Sequence, residues 1–473
     1  MDTESKLQEG IELHRNGQLQ QAELIYQQIL QVNPENAEVL HLLGTIAHQV
    51  EKYDLSINLI NQAIEIDPNQ SSFFNNLGLT LQKRGRFEEA VQAYKQAIDL
   101  NSDSSESYYN LGITLNDQGK LEEAIQAYQQ AIEINPKFPE AHHNLGTSLF
   151  LAGDFKNCWK HYEWRWKCPN TQLSLKERHL PQTRWEGSGL TDTSILVWAE
   201  QGVGDQITFA SMFPDLLQAG ARVTVECEQR LIPLFKRSFP EIQFYPQENL
   251  PHTQLFDTNI NYQVPMGNLG RWFRTDRDSF TRNKQSYLTA CPKETKKRRR
   301  KYKELSNGRM LIGVSWKSAG PDQSWSESRS IPLNDYWISV LSNKDCYFIN
   351  LQYGDVKQEL ELLKSETGLT VYSDQDICTF ENLDGFAAQV SALDVVMSID
   401  NTTAHIAGAL GQKVWTLLPH IPYWRWLQDV EDTLWYKNMR LFRQDRIGDW
   451  SKVFQQVSMS LQQNITITGS RLS

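Results

Sequence analysis

Two polar turns carry the residues best suited to chemistry. The first is Gln201-Gly202-Val203-Gly204-Asp205. It follows the apolar run Ile195-Leu196-Val197-Trp198, which reads as a buried strand, and it precedes a helix opening on Asp205. Glycines at 202 and 204 allow a sharp turn and a close approach of the backbone to a ligand. The helix end behind them aims free N–H groups and the positive end of its dipole at the turn, which suits a phosphate. Asp205 reads either as the helix N-cap or as a carboxylate taking a proton from an acceptor hydroxyl. The third glycine of a dinucleotide fingerprint and the Lys-Ser/Thr of a P-loop are both absent.

The second turn, Asp400-Asn401-Thr402-Thr403-Ala404-His405, follows the strand-like run Val395–Ile399. Thr402 and Thr403 can cap the helix behind it, and that helix end can hold a diphosphate. His405, one turn in, faces the same mouth in this reading, or else is simply a satisfied histidine in a capped helix. Lys317, after the strand Met310–Ser315, can neutralise phosphate charge, and Arg329 offers a second cation. Tyr423-Trp424-Arg425-Trp426 either walls the pocket, stacking on a base, or packs between domains.

These turns need elements to hold them. From Ile195 onward strands and helices alternate, which implies parallel sheets with ligands at the carboxyl ends of the strands. Two such halves facing each other make a cleft. The expected strands are Ile195–Trp198, Arg222–Cys227 and Ile242–Tyr245, then Met310–Ser315, Tyr347–Leu351, Leu369–Tyr372, Val395–Ile399 and Lys413–Leu418. Asp257–Leu269 looks irregular. The basic run Lys296 to Lys301 lies in a helical stretch and reads as a solvated linker helix.

The N-terminal part repeats instead. Gly10, Gly44, Gly78, Gly112 and Gly146 share one 34-residue register, as do Tyr26, Ile60, Tyr94, Tyr128 and Tyr162. Pro34, Pro68 and Pro136 follow the same period, with Ser102 standing in once. This pattern resembles the tetratricopeptide repeat, about five units over residues 1–168. Such solenoids hold partners on a concave face. Asn76, Asn110 and Asn144 recur two positions before the glycines, and their amides could grip a protein or peptide partner or merely hydrate that face. The crowded tryptophans Trp159, Trp164 and Trp166 read as a docking surface toward the following domain. A junction is expected over 169–193, then one α/β half over 194–307 and a nucleotide-sugar-binding half over 308–473.

Composition narrows the classes. Residues 1–170 carry 23 acidic and 13 basic side chains, and the remainder is balanced. An acidic solenoid gives no footprint for nucleic acid. The six cysteines are scattered, without metal-ligand or disulfide spacing. No transmembrane run or signal pattern stands out, so a cytoplasmic location is expected.

Gly202-Val203-Gly204-Asp205, Arg329-Ser330-Ile331-Pro332-Leu333 and Ser398 to His405 together resemble glycosyltransferase family nine, the ADP-heptose:lipopolysaccharide heptosyltransferases. The whole chain resembles bacterial proteins that join tetratricopeptide repeats to such a domain. The resemblance implies a GT-B fold of two Rossmann-like halves, with Asp205 as general base of an inverting, metal-independent transfer. It implies that Gly202, Gly204, Lys317, Arg329, Asp400, Asn401, Thr402, Thr403 and His405 bind a nucleotide-sugar, which is a co-substrate, and that no cofactor is needed. Asn401 stands where that family usually has threonine, which favours a second reading, a tetratricopeptide adaptor on a catalytically inactive fold. A third is saccharide assembly at the inner face of a membrane.

Overall fold

The computed structural model describes residues 3–168, 177–281, 286–319, 323–333 and 335–469. The chain divides into two compact units, Met1–Ala152 and Gly153–Ser473.

The described part of the first unit is helical: α1 (Thr3–Arg15), α2 (Leu19–Val32), α3 (Ala37–Gln49), α4 (Tyr53–Ile66), α5 (Ser71–Lys83), α6 (Phe87–Leu100), α7 (Ser105–Asp117), α8 (Leu121–Ile134) and α9 (Pro139–Ala152). Successive helices pair as the 34-residue period requires. The glycines of α1, α3, α5 and α7 meet the ring or branched side chain of the helix that follows. A Cβ on Gly78 would lie 2.7 Å from Tyr94 Cε1, and one on Gly112 would lie 2.6 Å from Tyr128 Cε1. Tyr26, Tyr94 and Tyr128 are buried by that contact. The large residue therefore fills the space within a pair rather than only between units. Turns between paired helices need a left-handed residue, supplied by Gly17, Gly85 and Gly119; Glu51 takes the same place at φ 61°. The prolines fall just past the ends of α2, α4 and α8.

The second unit opens with α10 (Phe155–Tyr162) and a 3-10 turn at Glu163–Lys167. Its N-terminal half contains β1 (Thr183–Arg184), β2 (Ser194–Trp198), α11 (Val203–Ala210), α12 (Phe213–Gln218), β3 (Arg222–Cys227), α13 (Ile232–Ser238), β4 (Gln243–Pro246), β5 (Tyr262–Pro265), α14 (Gly270–Phe273) and α15 (Arg277–Thr281). α16 (Pro292–Ser306) leads to β6 (Met310–Ser315), α17 (Gln323–Arg329), α18 (Asp335–Leu341), β7 (Cys346–Asn350), α19 (Lys357–Thr367) and α20 (Leu383–Ser391). β8 (Val395–Ile399), α21 (Thr402–Ala409), β9 (Val414–Leu418), β10 (Met439–Arg443) and α22 (Ser451–Gly469) complete it.

The strands form two five-stranded parallel sheets, ordered β1-β5-β2-β3-β4 and β10-β9-β8-β6-β7. In each sheet the winding reverses beside the first long strand, between β2 and β5 and between β6 and β8. Ligands of such sheets sit outside the carboxyl ends at that reversal. The turns after β2, β6 and β8 are at those positions.

Several local expectations are corrected. Asp257–Leu269 is not irregular, because Tyr262–Pro265 forms β5 and pairs with both β1 and β2. Four residues ending in proline are too few to show a period. The helix expected after the first turn ends at Ala210, and past Ser211 and Met212 a separate helix, α12, carries Pro214 in its first turn. Leu369–Tyr372 contributes only a bridge from Tyr372 to Ile349. The basic stretch is not a solvated linker throughout. Arg298 reaches Asp374, Arg299 reaches Asp394, and Lys301 reaches Asp374 and Asp376, which fixes α16 against the loops before β8.

Replacing Gly112 with alanine should lower unfolding stability. The helix-propensity gain of about 1 kcal/mol is opposed by an overpacking cost of about 1–3 kcal/mol against the buried Tyr128 ring. Chemical denaturation of the whole chain reads the difference, and an unchanged or raised stability would contradict this packing.

Candidate functional site

The site is assembled from the Trp-rich segment, the turn after β2 and the turns after β6, β8 and β9. Arg165 anchors it. Its guanidinium donates to both Glu200 oxygens at 2.8 Å, to Asn268 Oδ1 at 2.5 Å and to the Tyr162 carbonyl at 3.0 Å. Both charged side chains are fully buried. Gly267 N–H donates to Glu200 Oε1 at 2.7 Å, so one carboxylate ties the ends of β2 and β5 together. Trp159 lies against Gly270 and donates to the Arg274 carbonyl at 2.7 Å. Tyr162 meets Gln201 through its hydroxyl. The Trp-rich segment thus docks on the first sheet of its own unit and positions the loop before α11.

That loop differs from the sequence reading in detail. Helix α11 begins at Val203 with Gly202 as its N-cap, so Asp205 is its third residue and not the cap. Neither Gly202 nor Gly204 has a positive φ. Gly204 is required for closeness instead: a Cβ there would come within 2.8 Å of His405 Cδ2. Asp205 is half-buried and ion-paired with Nη2 of Arg425.

At the second turn Asn401 is the cap. Its Oδ1 accepts from Thr403 N–H at 3.0 Å and from Ser398 Oγ at 2.9 Å. Its Nδ2 donates to Ser315 Oγ at 2.8 Å and to the Lys317 carbonyl at 3.1 Å. Thr402 and Thr403, expected as caps, are the first helical residues; Thr403 is buried and Thr402 half-buried. A threonine cap at 401 could replace the acceptor but not the two amide donors. Asn401 therefore joins the ends of β6 and β8 at the reversal of the second sheet.

Asp400 is buried and receives Arg329 Nη1 at 3.4 Å, while the same nitrogen donates to the Asp400 carbonyl at 3.1 Å. His405 Nε2 lies 3.6 Å from its other oxygen. Burial alone would raise the Asp400 carboxyl, but the His405 contact and the Arg329 and Arg425 charges hold it well below the usual range. His405 does not open onto the mouth, contrary to the sequence reading. It is 4% exposed, stacks on Trp426 at 5.2 Å, and places Nδ1 2.9 Å from Tyr436 OH and 3.2 Å from Thr208 Oγ1. Burial lowers its pKa and favours the neutral ring. Lys317 is exposed and paired with Glu359. So the structure brings Gly202, Gly204, Asp205, Asp400, Asn401, Thr402, Thr403, His405, Arg329 and Lys317 into neighbouring turns. His405 and Asn401 serve mainly as internal ties. Thr208, Tyr436 and the Arg165–Glu200 pair were not foreseen; only the aromatic crowding around Arg165 signalled them.

In the first unit Asn76, Asn110 and Asn144 are half-buried on α5, α7 and α9. Each amide contacts the preceding repeat: Asn76 Nδ2 lies 2.8 Å from His41 Nε2, Asn110 donates to Asn75 Oδ1 at 3.2 Å, and Asn144 donates to Tyr109 OH at 3.4 Å. Among the described residues no group of three or more His, Cys, Asp or Glu could hold a metal. No helix among them is long and apolar enough to cross a membrane.

Family models for the tetratricopeptide repeat match residues 13–75, 59–92, 81–116 and 114–153. The first unit is accordingly a tetratricopeptide-repeat solenoid, and the second an α/β unit of parallel sheets. Protein FlbA of Caulobacter vibrioides is 27% identical over 327 residues, which cover 66% of this chain and 53% of FlbA. The chain thus spans about half the length of that curated relative. Among solved structures, pilF of Pseudomonas aeruginosa is 16% identical with a TM-score of 0.36, covering 50% of this chain and 92% of that one. MamA of Desulfovibrio magneticus is 18% identical with a TM-score of 0.33, covering 36% and 97%.

Arg165→Ala would leave Glu200 buried without its cation. A loss of about 3–5 kcal/mol in stability is expected, read by denaturant unfolding. A loss below about 1 kcal/mol, the range of a surface pair, would show that this ion pair is not the anchor.

Proposed function

We propose that the second unit is a GT-B glycosyltransferase, working in the cytoplasm, that moves a sugar from a nucleotide-sugar to a protein acceptor held by the solenoid. The observation that carries this reading is the meeting of α11 and α21. Thr208 on α11 lies 3.2 Å from His405 on α21, and Asp205 is joined to the Trp424–Trp426 turn by Arg425. A carboxylate from one parallel sheet is thereby held beside the helix N-terminus that follows a strand of the other.

Each group has a role in that chemistry. Asp205 takes the proton of the acceptor hydroxyl as it attacks the anomeric carbon from the face opposite the leaving group, which inverts the centre. The N-terminus of α21, where Thr402 is half-buried, and Arg329 and Lys317 stabilise the departing diphosphate without a metal. Asp400 orients Arg329. Asn401 keeps β6 and β8 in register. The solenoid presents the acceptor along its repeats.

A second reading, an adaptor whose α/β unit no longer turns over, is favoured by one observation. The expected base and the expected phosphate lysine are both ion-paired within the protein, Asp205 to Arg425 and Lys317 to Glu359.

Sugar release and transfer from a panel of nucleotide-sugars separate the two. Asp205→Asn should reduce turnover by about 10²–10⁴-fold, the usual contribution of a general base, while the donor still binds. Turnover equal to that of the unsubstituted chain removes Asp205 from the mechanism, and no turnover with any donor leaves the adaptor.

A further inference from the structure

Among the described residues, Arg425 has two buried side-chain nitrogens that meet no acceptor. Its side chain is 3% exposed. Nη2 reaches Asp205, whereas Nε and Nη1 are buried and meet no acceptor among the described residues. The guanidinium lies 4.6 Å from the Tyr423 ring centre and 5.0 Å from that of Trp424, which fixes its plane. Trp426 Nε1, one residue on, is also buried without an acceptor. All of these orphaned atoms are donors. Asp400, whose charge Arg425 feels, is engaged by Arg329 and His405. Buried donors left unpaired are unfavourable and need a partner.

The stereochemistry of the fork adds a constraint. A guanidinium offers two bidentate faces, Nε with Nη2 and Nη1 with Nη2. Asp205 occupies Nη2, the nitrogen common to both. Nη2 carries one N–H on each face, so a phosphate taking the face that Asp205 uses must displace it, and one taking the other face sits beside the Asp205 charge, which repels it.

We propose that Arg425 is a phosphate-binding residue for a diphosphate-bearing ligand, and that it exchanges Asp205 for that ligand. The inference rests on the transferase reading of the same site and deepens it. Without ligand, Arg425 holds Asp205 and the carboxylate is engaged. With the diphosphate bound, Arg425 turns its paired donors to phosphate oxygens and Asp205 is released toward the acceptor hydroxyl. The base is then armed only when the leaving group is in place, which disfavours idle attack by water.

Isothermal titration of the whole chain with inorganic pyrophosphate, and separately with ADP, GDP and UDP, tests this. Arg425→Lys keeps the charge but loses the fork, and should weaken pyrophosphate about tenfold or more. Asp205→Asn should tighten it about threefold or more, since the competing carboxylate is gone. In the double variant that tightening should vanish. The proposal is overturned if Arg425→Lys binds as the unsubstituted chain does, if pyrophosphate and all three nucleotides fail to bind, or if Asp205→Asn tightens binding equally in both backgrounds. Should Arg425→Lys fail to fold, a crystal structure of the unsubstituted chain with pyrophosphate decides. Arg425 bonded to phosphate and withdrawn from Asp205 supports the exchange, and Arg425 unmoved refutes it. Arg425-dependent pyrophosphate binding without sugar transfer from any donor supports this inference while sinking the transferase. Sugar transfer indifferent to Arg425→Lys does the reverse.

Discussion

A buried histidine set against a glycine joins the two sheets of the second unit. His405 stacks on Trp426, lies within hydrogen-bond reach of Tyr436 and Thr208, and allows no side chain at Gly204. The placing of Asp205 depends on that contact. It sets α11 beside α21, and so it sets Asp205 beside the turn that carries Arg425. The neutral ring is the form suited to this place, since burial disfavours the charged one. Its geometry is supported on the far side by the Arg165–Glu200 pair, which holds the loop before α11 from the direction of the first sheet's own reversal. Two internal ties thus fix one short turn from opposite sides.

Charge is balanced in the same economical way. Asp205 and Asp400 face Arg425 and Arg329, and Asp400 stays ionised despite burial because those partners surround it. Matched charges with orphaned donors among the described residues are what the proposed exchange of one anion for another requires. That property distinguishes it from the Asp374 cluster beside α16. There Arg298, Lys301 and Tyr302 converge on one carboxylate and fix a helix in place.

Much of this was legible from residue types. The 34-residue period gave the solenoid because its repeats obey one packing rule, glycine against a tyrosine ring or, once, an isoleucine. The strands β2, β3, β6 and β8 were legible because they run five or six residues and are rich in apolar and β-branched side chains. β1 and β5 were not, being two and four residues long and defined only by their neighbours in the sheet. The turns at Gly202 and Asp400 were found, but the roles inside them shifted. Gly204 serves a contact with a residue about two hundred positions away, which no local pattern encodes. Asn401 reads as a departure from threonine in sequence, yet in space it is the bond between two strand ends. The aromatic run around Arg425 was visible, while its pairing with Asp205 was not, because an ion pair between distant segments leaves no trace in spacing.

The solenoid and the α/β unit have different sources of order. The first relies on local helix pairs; the second relies on parallel strands from distant segments packed on a buried apolar core, with polar ties at strand ends fixing the turns. The account's central claim is that those ties build a nucleotide-diphosphate site. A thermal-shift panel of ADP, GDP, UDP, CMP and dTDP, with the matching nucleotide-sugars and without metal, tests it most directly. The account predicts clear stabilisation by one nucleotide class, on the order of 2.7 kcal/mol at ~100 times its dissociation constant. No shift with any of them would contradict it.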